Sequence, residues 1–164
     1  MYPHINEPTQ RISPKATTMW KITNSIGHGV TLLILVILLY VDHTFSWIGW
    51  IGWILFVLTG LIFISAIYSI WIEPAILQRT WRYEVDDEHV QLKHGAFTQT
   101  NTLIPMTKVE YVTTNQGPFL RKFGLYDIII GTVTSSHNIP ALPADEALAL
   151  RAKIAHLAKI KELD

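Results

Sequence analysis

The sequence predicts a membrane α-helical hairpin followed by an α+β domain, in which an antiparallel β-barrel or sandwich is capped by a C-terminal helix. Two uncharged apolar stretches, residues 22–41 and 43–72, are separated by Asp42 alone. A bilayer core of about 30 Å requires about 20 apolar residues in a helix, so each stretch is long enough to span it. After them the pattern changes to short alternating runs and then to one amphipathic segment, which is typical of strands followed by a helix.

The residues before the first apolar stretch are polar and contain Pro3, Pro8 and Pro14. We expect residues 1–20 to form a cytoplasmic N-terminal segment. A cleaved signal sequence would place a short apolar core near the N-terminus and follow it with small residues. The first stretch instead ends in Leu-Leu-Tyr-Val-Asp, which indicates a retained membrane helix over residues 21–41. We assign residues 42–46 to an external loop and residues 47–72 to a second membrane helix.

The positions of the cations predict the orientation of the hairpin. Arg11, Lys15 and Lys21 precede the first membrane helix, Arg79 and Arg82 follow the second, and the loop between the helices has neither Lys nor Arg. Short flanking segments that carry Lys and Arg tend to remain in the cytoplasm. We therefore expect a multi-pass protein of the cell membrane with both termini in the cytoplasm.

Small residues at the start of the second membrane helix are candidates for helix–helix contact. Gly49 and Gly52 alternate with tryptophans in a repeated Ile-Gly-Trp motif. Glycine allows the backbone of a neighbouring helix to approach closely. A tryptophan cluster at the headgroup level, where an aromatic ring with one polar end is favoured, is the alternative interpretation.

His28 is a further candidate for contact between the helices, because a polar side chain inside a membrane helix is a functional candidate. In an antiparallel hairpin its imidazole would face residues 59–65, and we expect it to form a hydrogen bond across the helix pair. A proton relay in a transport-related protein is the alternative. Such a relay would need further ionisable residues, and the second apolar stretch contains none.

The pattern after the hairpin predicts a compact domain over residues 79–164. Residues 119–125 are expected to form a compact loop that carries Arg121 and Lys122, and Asp145 can open a final helix with apolar residues at helical spacing as far as Ile160. This helix must pack its apolar stripe against another layer, and the open end of a small curved sheet is the expected partner. Alternating or β-branched runs separated by turn residues predict strands at 81–85, 90–93, 97–104, 109–113 and 126–133.

This arrangement is that of a pleckstrin-homology-like (PH-like) domain, and particular segments resemble a known family. They are residues 104–112 (IPMTKVEYV), residues 116–125 (QGPFLRKFGL) and residues 139–142 (IPAL) before the final helix. Together they resemble the bacterial PH-domain family known as YdbS-like or DUF304, whose members commonly place two membrane helices before such a domain. The resemblance implies a PH-like fold at a membrane and supplies no catalytic residue.

Composition and motifs argue against several function classes. The formal net charge is zero, whereas a nucleic-acid partner normally requires a basic face. The sequence has no cysteine, its seven histidines show no metal-ligand spacing, and it has neither a phosphate-binding loop nor a nucleophile elbow. We expect no catalytic residue, cofactor, metal or nucleic-acid partner, and the sequence defines no small-molecule substrate.

Besides the transport-related alternative at His28, two functions remain open, and the lipid bilayer is a partner in both. In the first, the domain is a non-enzymatic binding or assembly module at the cytoplasmic membrane face, with the adjacent cations Arg121 and Lys122 as candidate contacts for a ligand or an anionic headgroup. In the second, the protein is a structural subunit of a larger membrane complex. It would then pack against another membrane protein or form a homo-oligomer.

Overall fold

The computed structural model describes residues 7–45, 49–96 and 98–159. Two compact units are present, one formed by Thr18–Ala75 and one formed by Met1–Thr17 together with Ile76–Asp164. Parts of several predicted elements lie outside the described residues. These parts are residues 1–6 of the N-terminal segment, residues 46–48 of the loop and second membrane helix, residue 97 of the third strand and residues 160–164 of the final helix.

Two long helices account for the apolar stretches. Helix α1 spans Lys15–Phe45 and helix α2 spans Gly49–Ile67, and α2 continues through a π-helical turn at Tyr68–Ile72 into helix α3 at Glu73–Thr80. Both helical stretches are long and apolar enough to cross a membrane. Most of their large apolar side chains are exposed, which is stable in lipid because the hydrocarbon chains are themselves apolar.

Helix α1 is longer than the predicted membrane helix at both ends. It begins at Lys15 rather than at residue 21, and residues 42–45, which were predicted to lie in an external loop, are helical. The segment Asp-His-Thr-Phe contains neither glycine nor proline, so no residue in it stops the helix. The predicted loop therefore needs correction over these four positions.

The domain unit begins with an arm that precedes the hairpin in sequence. Strand β1, Gln10–Arg11, pairs antiparallel with strand β2, Arg82–Val85. The backbone N–H of Thr9 donates to the Glu84 carboxylate at 2.9 Å, and the Thr9 hydroxyl donates to the same oxygen at 3.2 Å. Ile12 is only 1% exposed. Residues 7–17 thus belong to the domain, whereas the sequence analysis placed the whole N-terminal segment outside it.

The strands form two antiparallel sheets. The remaining strands are β3 at His89–His94, β4 at Thr100–Pro105, β5 at Val109–Asn115, β6 at Leu125–Thr132 and β7 at Ser136–Pro143. The first sheet has the order β1-β2-β3-β4 and the second has the order β5-β6-β7. The core contains Val90 from the first sheet and Ile128, Ile130 and Ile139 from the second, all fully buried.

The final helix closes this core and confirms the predicted fold class. Helix α5 spans Ala144–Leu157 and packs against all three strands of the second sheet. Ala147 and Ile154, two helical turns apart on one face, are fully buried. The structure is therefore a membrane helical hairpin with a PH-like antiparallel sandwich capped by a C-terminal helix.

The segment that was predicted to be a compact loop is a short helix instead. Helix α4 spans Pro118–Phe123, with Gly124 as its C-cap in the left-handed conformation at φ 65°. Proline at the first helical position has a suitable fixed φ and needs no hydrogen bond there, and glycine adopts the left-handed cap without steric strain. The spacing of Pro118 and Gly124 was the signal for this helix, and the loop prediction was wrong.

Candidate functional site

Of the three predicted helix-contact residues, Gly49 and Gly52 line one groove of the hairpin, and His28 does not line it. His28 is half-buried on α1, and its ring forms no hydrogen bond with any residue of the described chain. Gly49 has open space where a side chain would lie, with no neighbouring atom within 4 Å of that position. At Gly52, a Cβ would lie 2.5 Å from the Asp42 carboxylate. Gly52 thus makes room for an acidic side chain of α1.

Asp42 lines an open groove on the hairpin. The groove has a volume of about 430 Å³ and is also lined by Leu39, Gly52, Trp53 and Phe56. The aromatic rings of Trp53 and Phe56 meet edge to face, with centroids 6.4 Å apart. The groove therefore combines one carboxylate with an aromatic wall.

A polar cluster that the sequence analysis missed joins the two helices. The Asn24 amide donates to the Ser69 carbonyl at 2.8 Å and to the Ser69 hydroxyl at 3.0 Å. The Ser69 hydroxyl in turn donates to the Glu73 carboxylate at 3.1 Å. At the same end of the hairpin, the Lys21 ammonium lies 5.2 Å from the centroid of the Trp71 ring, a cation–π contact.

Pro74 explains why the Ser69 carbonyl requires a side-chain donor. In the π-helical turn the N–H of Glu73 donates to the carbonyl of Tyr68, five residues earlier. At the same spacing, the N–H of residue 74 would donate to the carbonyl of Ser69. That residue is Pro74, which has no N–H. An unsatisfied carbonyl in lipid costs several kcal/mol, and the Asn24 amide satisfies it. The signal in the sequence was a Glu-Pro pair opposite a lone amide side chain.

Arg121 and Lys122, the predicted contacts for an anionic headgroup, lie in the last turn of α4. Both side chains are exposed, while the neighbouring Leu120 is buried and anchors the short helix. Cations in the last turn of a helix are also favoured by the partial negative charge of its free carbonyl groups. Their position is therefore compatible with a purely structural role as well as with ligand contact.

A row of three cations crosses the first sheet, and the sequence analysis did not find it. Arg11 on β1 is the register partner of Arg82 on β2, and Arg82 is the register partner of Lys93 on β3. Directly opposed residues project from the same face of a sheet with Cβ atoms about 4.5–5.5 Å apart. Burial, and then the charge of Arg11, lower the pKa of the Arg82 guanidinium. We call Arg11, Arg82 and Lys93 the cation row.

Besides Arg82, two titratable groups of the domain have shifted pKa values. Burial raises the pKa of the Asp127 carboxyl, while the Ala141 N–H, which donates to it at 2.8 Å, lowers the pKa by a smaller amount. This bond supports Ala141 in a left-handed conformation at φ 52°, which is unusual for alanine. Burial, and then the nearby Glu146, raise the pKa of Tyr83 to about 12. Both are packed structural groups.

The described ranges 7–45, 49–96 and 98–159 contain no group of three or more His, Asp or Glu side chains that could hold a metal ion. The chain has no cysteine. No buried side-chain nitrogen or oxygen in this part of the structure lacks a hydrogen-bond partner. The polar groups that stand out are thus the cation row, the Asn24 cluster and Asp42.

Comparison with known proteins covers both units of the chain. The sequence model of a family described as "Bacterial PH domain" matches residues 26–158. The UPF0699 transmembrane protein YdbS from Bacillus subtilis (strain 168) is 34% identical over 158 residues, which are 96% of this chain and 98% of that protein. No solved structure matches the chain. The similarity therefore includes the helical hairpin as well as the sheets.

Proposed function

The chain belongs to the bacterial PH domain family, and from this premise we propose that it is a membrane-anchored, non-enzymatic binding or assembly module at the cytoplasmic face of the cell membrane. Two helices that are long and apolar enough to cross a bilayer support the anchor. The relative from Bacillus subtilis is named a transmembrane protein, which agrees with it.

The pairing of β1 with β2 is the observation that carries this proposal. β1 precedes the first apolar helix in sequence and β2 follows the second, yet the two strands are hydrogen-bonded neighbours in one sheet. A chain that leaves and re-enters one folded unit favours an even number of membrane crossings. Cations flank both outer ends of the hairpin, so the positive-inside tendency favours a cytoplasmic domain with both termini in the cytoplasm.

The free edges of the two sheets support a role in binding. β4 and β5 end their respective sheets, and most of their side chains are at least partly exposed. Leu103 on β4 is 47% exposed and Tyr111 on β5 is 46% exposed. An unpaired strand edge can accept an extended segment of another protein through main-chain hydrogen bonds. Anchoring the domain raises its effective concentration toward partners at the same membrane.

Affinity purification of the full-length protein from gently solubilised membranes tests the binding role. We expect a defined set of proteins with the wild type and loss of that set with Leu103→Asp, because a carboxylate at the β4 edge opposes strand addition. Leu148→Asp is the matched control, since Leu148 on α5 is 46% exposed. Recovery of the same proteins with both variants would exclude the β4 edge. Recovery of no protein in stoichiometric amount would contradict the module itself.

The groove at Asp42 favours a second candidate function, that of a structural subunit in a larger membrane complex. Trp53 and Phe56 are 72% and 66% exposed beside a carboxylate that has no ion pair among the described residues. A helix of another membrane protein, or of a second copy, would cover this surface. Crosslinking in native membranes from residue 53 tests it, because a subunit yields one defined adduct and a freely diffusing anchor yields none.

A further inference from the structure

We propose that the cation row Arg11, Arg82 and Lys93, together with Arg79, forms a binding site for a phosphate group. The inference goes beyond the proposed function, because the site would act whether or not the domain binds another protein. It depends on the sheet register, on the exposure of Glu7, the acid that pairs with Lys93, and on a cavity lined by Arg79, Arg82 and Lys93.

The register creates a concentration of positive charge that one exposed acid, Glu7, compensates in part. Arg82 lies between two cations on adjacent strands, and like charges placed directly opposite each other destabilise a sheet. An anion bound between them removes the repulsion and makes the arrangement favourable.

Acidic side chains close to the row are already engaged or highly exposed. Glu84, the nearest acid on β2, accepts both hydrogen bonds from Thr9. Glu7 pairs with Lys93 at 2.9 Å, but its side chain is 83% exposed. The Lys93 side chain is 19% exposed, so the cation is held by the domain whereas Glu7 is free to move, and an incoming anion can displace Glu7 from it.

Arg82 is oriented for recognition of an anion. Its Nη1 donates to the backbone carbonyl groups of Arg79 at 3.0 Å and of Trp81 at 3.2 Å, which fixes the plane of the guanidinium. The other N–H groups of Arg82 have no acceptor within the described part of the chain. A fixed guanidinium fork matches two oxygens of a phosphate group, and Lys93 adds a point charge.

A cavity of about 260 Å³ is lined by the cations Arg79, Arg82 and Lys93 and by one acid, Glu7. Gly95 and Gln99 also line it, and the missing side chain of Gly95, at φ +110°, leaves space for the Thr98 carbonyl. The cavity therefore has room for a phosphate group, which would displace the exposed Glu7 carboxylate from Lys93.

The chemistry of the site fits phosphate from either of two sources. Arg79 follows the second apolar stretch closely in sequence, and Lys and Arg beside a membrane helix attract anionic lipid headgroups. A free phosphate compound in the cytoplasm offers the same oxygens. The experiment therefore has one arm for each source.

Both arms use the full-length protein and follow unfolding of the domain in urea by pulse proteolysis. In detergent, inorganic phosphate is compared with chloride at equal ionic strength. In nanodiscs, phosphatidylcholine alone is compared with an equal mixture of phosphatidylcholine and phosphatidylglycerol. A ligand that binds only the folded state raises the urea midpoint, and the dependence of the midpoint on phosphate concentration gives the affinity.

Arg82→Gln/Lys93→Gln is the test variant, and Lys108→Gln/Arg151→Gln removes the same two residue types elsewhere on the domain. We expect the test variant to bind phosphate at least about tenfold more weakly, since each charge-assisted hydrogen bond contributes about 1.5–3 kcal/mol. The control variant should bind like the wild type. The test variant also loses the Arg82 hydrogen bonds to the Arg79 and Trp81 carbonyls and the Lys93–Glu7 pair, so its own midpoint in chloride is the reference for its response to phosphate.

A response to phosphatidylglycerol alone assigns the site to a lipid headgroup, and a response to inorganic phosphate alone assigns it to a soluble compound. The proposal is overturned if neither probe raises the midpoint of the wild type, or if the test and control variants respond equally. Should the test variant fail to fold, Arg79→Gln provides the same comparison, because Arg79 is exposed at the end of α3.

Discussion

Replacement of Ile12 by alanine tests whether the N-terminal arm is an integral part of the domain. Ile12 is 1% exposed, although it precedes the first apolar helix in sequence. Truncation of a buried isoleucine to alanine removes its transfer free energy and leaves a cavity, which together cost about 2–5 kcal/mol. The hydrogen bonds between Thr9 and Glu84 are exposed and add less. Ile12→Ala should therefore remove a large part of the stability of a domain this size.

Pulse proteolysis of the full-length protein in a urea series measures this loss. The free energy of unfolding falls by about 1–3 kcal/mol for each molar of urea, so a loss of about 3 kcal/mol lowers the urea midpoint by about 1–3 M. Leu148→Ala, at a side chain that is 46% exposed in the same domain, should change the free energy of unfolding by no more than about 0.5 kcal/mol. Ile22→Ala makes the identical change in the apolar helix and should leave the midpoint of the domain unchanged.

Equal midpoints for Ile12→Ala and Leu148→Ala would refute the reasoning. They would mean that the arm detaches before the domain unfolds, so that its burial contributes nothing to the cooperative transition. The two outer ends of the hairpin would then not be joined in one folded unit, and the pairing of β1 with β2 would no longer favour placing both ends on one side of the membrane.

Three further predictions concern single contacts. Gly131→Ala should lower the free energy of unfolding by about 1–3 kcal/mol, because the added Cβ would overlap the Tyr111 ring. Most of this loss should disappear in the Tyr111→Ala background. The urea midpoints of the wild type, the two single variants and the double variant measure it. Burial raises the pKa of the Asp127 carboxyl in the folded state, so the protonated form favours folding. This contribution to stability is fully present below the pKa of the unfolded state, about 3.9, and is lost as the pH rises through the pKa of the folded state. Asp127→Asn keeps the oxygen acceptor, and the stability of the wild type relative to this variant should therefore fall as the pH is raised from about 3.5 to neutrality; a constant difference would contradict the raised pKa. Asn24→Leu should weaken pairing of the membrane helices by about 0.6–2 kcal/mol in a detergent titration, and by less in a Pro74→Ala background, where alanine supplies the missing N–H. Equal losses in the two backgrounds would show that the amide does not replace a donor absent at residue 74.

The elements that were predicted correctly depend on local patterns. Hydropathy identifies the apolar helices because lipid imposes one requirement on every residue of a spanning helix. Helical periodicity identifies α5, since its buried residues Ala147 and Ile154 recur on one face. The quoted segments between residues 104 and 142 were sufficient for the family, which the comparisons confirm.

Local patterns that are very short were missed. The arm contributes a strand of two residues and one buried isoleucine, and neither forms a recognisable period. Helix α4 is too short for periodicity, so only its terminal proline and glycine could have identified it. The π-helical turn depends on a single Glu-Pro pair and on an asparagine far away in sequence.

The membrane hairpin, the strand-rich domain with its final helix, and the family can all be read from the amino-acid sequence, because each depends on hydrophobicity or on motifs within a continuous stretch. The positions of Arg11, Arg82 and Lys93 side by side, and the contact of Asn24 with Ser69, appear only in the folded structure. Strand register and helix pairing join residues that lie far apart in the chain, and no local pattern specifies them. A shift of one residue in register would place Arg82 on the opposite face of its sheet and remove the cation row.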